Sequence, residues 1–163
     1  MKNYILDADT ANRKLERIAF QILEENESEK EIILAGIRLS GSVVARNIQQ
    51  ILSRICSIPT RLITVTLDKR NPTDIELSET FDFNDKVIIL IDDVANSGKT
   101  LLYAMKPFLQ FHPKKIQTLV LVERTHKSFP VHNDYVGLSV ATTVQEHIFV
   151  EVEGENVGGA YLE

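Results

Sequence analysis

Two adjacent carboxylates, Asp92 and Asp93, close an apolar run, Val87-Ile88-Ile89-Leu90-Ile91, and Ser97-Gly98-Lys99-Thr100 follows a few residues on. These residue types make two complementary sites in one turn. A turn that opens a helix leaves backbone N–H groups unpaired and lies at the positive end of the helix dipole. The Ser97 and Thr100 hydroxyls and the Lys99 ammonium add donors, so Ala95, Asn96, Ser97, Gly98, Lys99 and Thr100 read as a phosphate cradle. The two acids just before it accept hydrogen bonds and suit sugar hydroxyls or a metal ion. Gly98-Lys99-Thr100 also ends like a nucleotide triphosphatase P-loop, but that motif needs glycine five residues before Gly98, where Asp93 stands. An acid there repels the phosphate the loop would wrap. Acceptors for a vicinal diol followed by a phosphate cradle fit a ribose 5-phosphate instead.

The elements that must position this turn alternate between helical and extended periodicity. Ala11, Leu15, Ile18, Ala19, Ile22 and Leu23 share one helical face, with Asp7 or Asp9 as N-cap. Ile32-Ile33-Leu34-Ala35-Gly36 reads as a buried strand, and Val44, Ile48, Ile51, Leu52 and Ile55 return to helical spacing. Ile63, Val65 and Leu67 alternate with threonines, as a strand requires. The polar stretch Asp68 to Asp85 reads as a long loop or irregular hairpin, and loops of that kind serve as lids. Val87 to Ile91 is expected to be a central strand covered on both faces. A helix from about Gly98 to Phe111 must kink or restart at Pro107. Ile116 to Val122 and His147 to Val152 are further strands, and Gly154 to Glu163 reads as irregular. This alternation predicts an α/β fold, an open, mostly parallel sheet flanked by helices, with residues 1–163 as a single domain. Such sheets bind ligands at the carboxyl ends of their strands, which is where the acid pair falls.

Composition narrows the classes further. Of 163 residues, 18 are Lys or Arg and 23 are Asp or Glu, for a net charge of −5, which disfavours a broad polyanion-binding surface. No apolar run is long enough to cross a bilayer, and the N-terminus lacks the basic-then-apolar layout of a signal peptide. The single cysteine, Cys56, allows no intramolecular disulfide, and a reduced, cytoplasmic setting is expected. His112, His132 and His147 show no metal-ligand spacing.

The apolar strand, acid pair and hydroxyl-rich loop resemble the PRPP-binding motif of the type I phosphoribosyltransferases. Over nearly the whole chain the resemblance is closest to the bifunctional pyrimidine-operon regulators and uracil phosphoribosyltransferases. It is carried by Ile5-Leu6-Asp7 opening a helix with Arg17-Ile18-Ala19, and by Gly36-Ile37-Arg38-Leu39-Ser40-Gly41 before Ala45-Arg46. Asp92-Asp93-Val94, Gly98-Lys99-Thr100 and Ala104-Met105 continue it. So do Val122-Glu123-Arg124-Thr125-His126-Lys127, Phe129-Pro130 and Asp134-Tyr135-Val136-Gly137.

The resemblance implies that Asp92 and Asp93, the candidate catalytic pair, receive the ribose 2′- and 3′-hydroxyls, and that residues 95–100 hold the 5′-phosphate of PRPP. It implies a pyrophosphate loop at Arg38, Leu39, Ser40 and Gly41, a flexible loop after Asp68, and a small hood with Tyr135, Val136 and Gly137 receiving the base. Mg²⁺ would be bound largely through PRPP, with Asp92 and Asp93 as its protein-side candidates. The reaction implied is transfer of ribose 5-phosphate to a nucleobase, uracil giving UMP. Two alternatives stand beside it: a UMP-responsive RNA-binding regulator of pyrimidine genes with little turnover, and a PRPP or nucleotide sensor with none.

Three departures bear on these readings. The family's pyrophosphate loop carries Lys or Arg directly before its glycine, and here that residue is Ser40. The segment between Asp68 and Val87 is shorter than the family's flexible loop. Asn96 stands where purine-salvage relatives carry a catalytic Asp, and an amide is no general base near neutral pH. The RNA reading would place an mRNA leader on Arg13, Lys14, Arg17, Arg124 and Lys127. Their ordinary reading is a solvated helix face and a polar loop, and the sequence leaves both open. The resemblance also implies a homodimer.

Overall fold

The computed structural model describes residues 1–163. Strand β1 (Asn3–Asp7) leads into helix α1 (Ala8–Asn26), whose N-cap is Asp7, its carboxylate accepting from the Thr10 N–H at 2.7 Å. The apolar stripe seen in the sequence is buried: Ala11, Leu15, Ile18, Ala19 and Ile22 all face inward. Strand β2 (Ile32–Ile37) is buried along its whole length and feeds α2 (Ser40–Ile55). β3 (Thr60–Leu67) and the short β4 (Ile75–Leu77) form an antiparallel pair, so the polar stretch after Asp68 is indeed an irregular hairpin. β5 (Val87–Ala95) is followed by α3 (Lys99–Ala104) and a 3₁₀ turn at Lys106–Gln110, the restart that Pro107 imposes. β6 (Lys115–Arg124), β7 (Tyr135–Val140), β8 (Ile148–Glu153) and β9 (Asn156–Leu162) complete the chain.

The main sheet has the order β4-β3-β2-β5-β6-β7, and every pairing but β3·β4 is parallel. From β2 the chain crosses through α2 to β3 on one side. From β5 it crosses through α3 to β6 on the other. The sheet therefore reverses its winding between β2 and β5, and the loops leaving their carboxyl ends diverge there, opening a crevice. One apolar cluster joins Ile32, Leu34, Val87, Ile89 and Ile91 to α1 and α2. A second joins Ile33, Ala35, Ile88 and Leu90 to Leu101, Phe108 and Phe83. Burial on both faces is why β2 and β5 read as continuous aliphatic runs.

A small antiparallel sheet, β1-β9-β8, lies over the first cluster and is the hood. Two of its strands differ from expectation. Ile5-Leu6-Asp7 is the end of a strand rather than the opening of a helix, and residues 156–162 form β9 rather than an irregular end. Gly158 and Gly159 hide β9, because glycine weakens strand propensity. Here tertiary pairing supplies the strand: at Gly159, φ is +136°, and a Cβ would lie 2.5 Å from the Leu6 carbonyl oxygen.

Candidate active site

β5 does not end at Ile91. Asp92 pairs with Val120 and Val94 with Val122, so the acid pair lies inside the strand, held by its neighbour β6. Acids are poor strand formers, which is why the apolar run stops at Ile91, four residues before the strand ends at Ala95. Asp92 is 1% exposed, and Asp93 is only partly covered. Asp92 Oδ1 accepts from the Asp93 N–H at 2.9 Å, and Asp93 Oδ1 accepts from the Val94 N–H at 2.8 Å. Burial, then the neighbouring Asp93 charge, pushes the Asp92 carboxyl well above the usual carboxylate range, and Lys69 opposes this in part.

Asp92 lines one small cavity together with Val94, Ala95, Asn96, Ser97, Gly98, Lys99, Thr100 and Lys69. Asp93 is not part of that lining, as expected of consecutive strand residues that point to opposite faces. Gly98 adopts φ +84°, the left-handed turn that lets the chain enter α3. Ser97 Oγ accepts from the Lys99 N–H at 3.3 Å. The Ser97 carbonyl accepts from the N–H groups of Ser128 and Phe129, both at 3.0 Å, which ties the cradle to the loop after β6. α3 has only six residues, so its free N–H groups and the side-chain donors, rather than a long helix dipole, make this an anion site.

The loop leaving β2 stands against the same acid. Arg38 and Leu39 are exposed, their peptide bond is cis, and the Arg38 N–H donates to the Val65 carbonyl at 3.0 Å. Gly41 is buried, and a Cβ there would sit 2.7 Å from the Ile91 carbonyl oxygen and 3.1 Å from Asp92 Oδ1. Glycine at this position is what brings the loop down onto the end of β5. Gly41 of the Arg38–Gly41 loop thus meets Asp92 at the switch point.

Tyr135, Val136 and Gly137 do not belong to the hood. They lie in β7, at the edge of the main sheet, and Tyr135 is 1% exposed. Its hydroxyl lies 2.9 Å from both Glu25 Oε2 and Gln117 Oε1, near the end of α1, and burial followed by Glu25 pushes its pKa upward. Gly137 is pressed on β6, where a Cβ would meet the Leu121 carbonyl oxygen at 2.3 Å. The aromatic residue and the glycine serve sheet packing, which sequence alone does not separate from base recognition.

The basic candidates divide. Arg17 donates to the Val136 and Gly137 carbonyls at 2.7 and 3.4 Å, fastening α1 to β7. Arg13 is exposed and reaches Thr10 Oγ1 at 3.3 Å, and Lys14 is half-buried beside it. Arg124 donates to the Glu146 carbonyl at 2.7 Å, and Lys127 pairs with Glu123 at 3.0 Å. Arg17 and Arg124 are therefore engaged with other parts of the chain and Lys127 with Glu123, while Arg13 bonds only within its own helix.

Two groups of residues escaped the sequence reading. Lys69 stands beside Asp92; the sequence placed it within the polar stretch after Asp68 without singling it out. A neighbouring polar cavity of about 470 Å³ shares Asn96 and Ser97 with the cradle and is otherwise lined by Arg124, His126, Ser128 and His147. Nothing in their spacing announces it, because β6, the following loop and the start of β8 meet only in the fold.

No three His, Cys, Asp or Glu side chains converge anywhere in the chain. The donors present fit Mg²⁺ in the manner usual for that ion, with one or two carboxylates and the rest of the shell from water and substrate phosphates.

A doubly wound sheet with an acid and a hydroxyl-glycine cradle at its switch point defines a sugar-phosphate-binding domain of the phosphoribosyl-transfer class. The chain belongs to the type I phosphoribosyltransferases: the phosphoribosyl transferase domain model matches residues 3–154. It is similar to the Bifunctional protein PyrR of Alkaliphilus metalliredigens, 34% identical over 159 residues that cover 91% of this chain and 87% of that one. The PyrR of Enterococcus faecalis is 33% identical over 161 residues, covering 93% and 90%. Among solved structures, the hypoxanthine phosphoribosyltransferase of Trypanosoma cruzi superposes with a TM-score of 0.79 at 13% identity, covering 99% of this chain and 97% of that one. A hypoxanthine-guanine phosphoribosyltransferase of Bacillus anthracis gives 0.71 at 18% identity, covering 86% and 83%. At those identities the likeness is one of fold.

Proposed function

We propose that this pentosyltransferase moves ribose 5-phosphate from PRPP to uracil, releasing pyrophosphate and UMP. The observation that carries the reading is that Asp92 and residues 94–100 line one cavity at the switch point, with the Arg38–Gly41 loop packed against the same carboxylate. Asp92, the acid of the pair that lines the cavity, receives the ribose hydroxyls, and residues 95–100 hold the 5′-phosphate. The polar cavity next to the cradle, between Arg124, His126 and His147, receives the base.

A ring nitrogen of the base bonds to C1 as the C1–oxygen bond to pyrophosphate breaks; the electron pair of that bond leaves with pyrophosphate, and the proton carried by the ring nitrogen passes to water or to the departing pyrophosphate. No protein nucleophile is needed. Asn96 in place of an acid removes the general base that purine-salvage relatives carry there, which speaks against a hypoxanthine- or guanine-type mechanism and does not speak against uracil. This chain's residues contribute by positioning the two reactants and by fixing donors where charge develops. Mg²⁺, when bound, would offset the negative charge of the pyrophosphate; of the acid pair, Asp92 is the carboxylate in the cavity lining that would hold it from the protein side.

The test is a pyrophosphate-release assay with PRPP, Mg²⁺ and, in turn, uracil, orotate, adenine, guanine and hypoxanthine. Release with uracil is expected. Release with none of the bases, alongside PRPP binding that Asp92→Ala/Asp93→Ala abolishes, would leave the chain a sensor.

The relatives' name, "bifunctional", favours a second role, binding of a pyrimidine-gene leader RNA in response to UMP. Arg13 and Lys14 are the basic candidates least occupied by internal contacts. Salt-dependent, UMP-stimulated RNA binding, weakened by Arg13→Ala/Lys14→Ala, is the expected result. A homodimer and a cytoplasmic setting belong to the same reading, and no helix is long and apolar enough to cross a membrane.

A further inference from the structure

Glu123, the next-to-last residue of β6, lines neither the cradle nor the polar cavity beside it. It pairs with Ala95, the first cradle residue, on one side and with Ser139 of β7 on the other. Its carboxylate gathers three side chains. Ser139 Oγ donates to Oε1 at 2.8 Å, Asn133 Nδ2 donates to Oε2 at 2.8 Å, and Lys127 Nζ lies 3.0 Å from Oε2. The Glu123 and Lys127 side chains are 16% and 18% exposed, so this is a covered cluster rather than a solvated surface pair. Burial disfavours the Glu123 charge, and the hydrogen bonds from Asn133, Ser139 and Lys127 together outweigh it, which holds the carboxyl below the usual carboxylate range.

Lys127 and Asn133 belong to the two legs of the loop, residues 125–134, that joins β6 to β7. The middle of that loop is a wall of the cradle. Its Ser128 and Phe129 N–H groups hold the Ser97 carbonyl, and the Phe129 carbonyl oxygen and Val131 Cβ lie 3.4 and 3.5 Å from where a Cβ on Gly98 would stand. The same stretch faces the polar cavity through Arg124, His126 and Ser128. Thr125 and Asp134 fix the loop's ends on the sheet, their N–H groups donating to the Val140 and Thr118 carbonyls, both at 3.0 Å. Between those ends, Glu123 draws one leg to the other.

We propose that Glu123 is a positioning residue for phosphoribosyl transfer: it holds both legs of the 125–134 loop on one carboxylate and so fixes the cradle wall and the polar cavity relative to each other. This rests on the phosphoribosyltransferase reading, in which the cradle holds the sugar phosphate and the cavity holds the base. The spacing of the two then sets the distance between C1 and the attacking nitrogen. Glu123 touches neither reactant and moves no proton. Releasing a leg shifts the brace on Ser97 and the Arg124–His126 wall together, so the sugar and the base lose alignment at once.

Steady-state kinetics with PRPP, Mg²⁺ and uracil, calorimetric titration of ribose 5-phosphate, and a denaturant melt separate positioning from stability. Glu123→Ala is expected to lower kcat/KM for both substrates about ten- to a hundredfold, the scale of a misplacement of about 1 Å, and to weaken ribose 5-phosphate binding. Glu123→Gln keeps an acceptor for Asn133 and a partner for Ser139 and loses only the Lys127 leg, so it should recover most of that loss. Lys127→Met frees the same leg, and the double variant Glu123→Gln/Lys127→Met should be no worse than its poorer single, a comparison that stands even where Glu123→Ala does not fold. Lys114→Ala breaks the Lys114–Glu29 pair at the opposite end of the sheet and serves as the control for lost stability alone, with both KM values unchanged. A lowered melt with unchanged kinetics and ribose 5-phosphate affinity, no recovery by Glu123→Gln, or additive losses in the double variant would overturn the proposal while leaving the enzyme reading intact. Absence of turnover by the unaltered chain with every base would overturn both.

Discussion

Asp92 is expected to reduce the stability of the fold while serving its site, and Asp92→Asn tests this. The carboxyl is buried, borders Asp93, and has one half-exposed cation as its counter-charge, so its native pKa is raised. A carboxyl with a native pKa above its unfolded value holds its proton more tightly in the native chain. Over the interval between the two values the native state binds more protons than the unfolded one. Unfolding free energy then falls as pH rises through that interval, and the full cost is present above the native value. Asparagine keeps an acceptor oxygen for the Asp93 N–H and removes the charge. The expected gain near neutral pH is about 0.5–2 kcal/mol, in the range typical when a functional-site residue is relaxed. For a domain of this size that is about 1–8 °C in Tm. Melting both chains from about pH 4 to about pH 9 is the assay. The difference should be small at the acid end and widen with pH, while Asp92→Asn loses PRPP binding. An Asn variant less stable than the parent at alkaline pH, or a difference that does not change with pH, would refute the reasoning.

Three further substitutions probe the packing beneath the site. Gly41→Ala drives a methyl to within 2.7 Å of the Ile91 carbonyl, and should cost about 1–3 kcal/mol in a denaturant melt and most of the PRPP affinity by titration. Gly98→Ala forces a side chain onto φ +84°, and should cost about 1–2 kcal/mol and raise the KM for PRPP more than that for the base. Tyr135→Phe removes a buried hydroxyl from Glu25 and Gln117; it should cost about 1 kcal/mol in stability and leave the KM for uracil unchanged, and a raised KM without a stability loss would return Tyr135 to the base site.

What could be read from the sequence followed from how strongly each feature constrains residue types. β2 and the first five residues of β5 are covered on both faces, so apart from Gly36 their positions are aliphatic and the runs are plain. The cradle was legible because turn, hydroxyls and lysine sit together in the chain. Three things were not, each because long-range pairing outweighs local preference. Asp92 is held in β5 by pairing with β6, against its own propensity. β9, with two glycines, is a strand because β1 and β8 flank it. Tyr135 and Gly137 occupy a motif-like segment, yet β7 needs them for a buried anchor and a close approach to Leu121.

The net charge of −5 raises the question of how so acidic a chain would take up a ligand with several phosphates. The arrangement at the switch point answers it locally. Apart from the Lys99 ammonium, the cradle's donors are backbone groups, hydroxyls and an amide, which carry no net charge and appear in no charge count. The two acids nearest them are kept from opposing the ligand in different ways: Asp93 stands outside the cavity lining, and Asp92 is buried, with its charge disfavoured and Lys69 beside it. Surface acids are separated from the site by water and salt and contribute little field at that range. Composition therefore constrains extended polyanion surfaces, where many phosphates must be met at once, far more than it constrains a single enclosed site whose field is set by fixed donors.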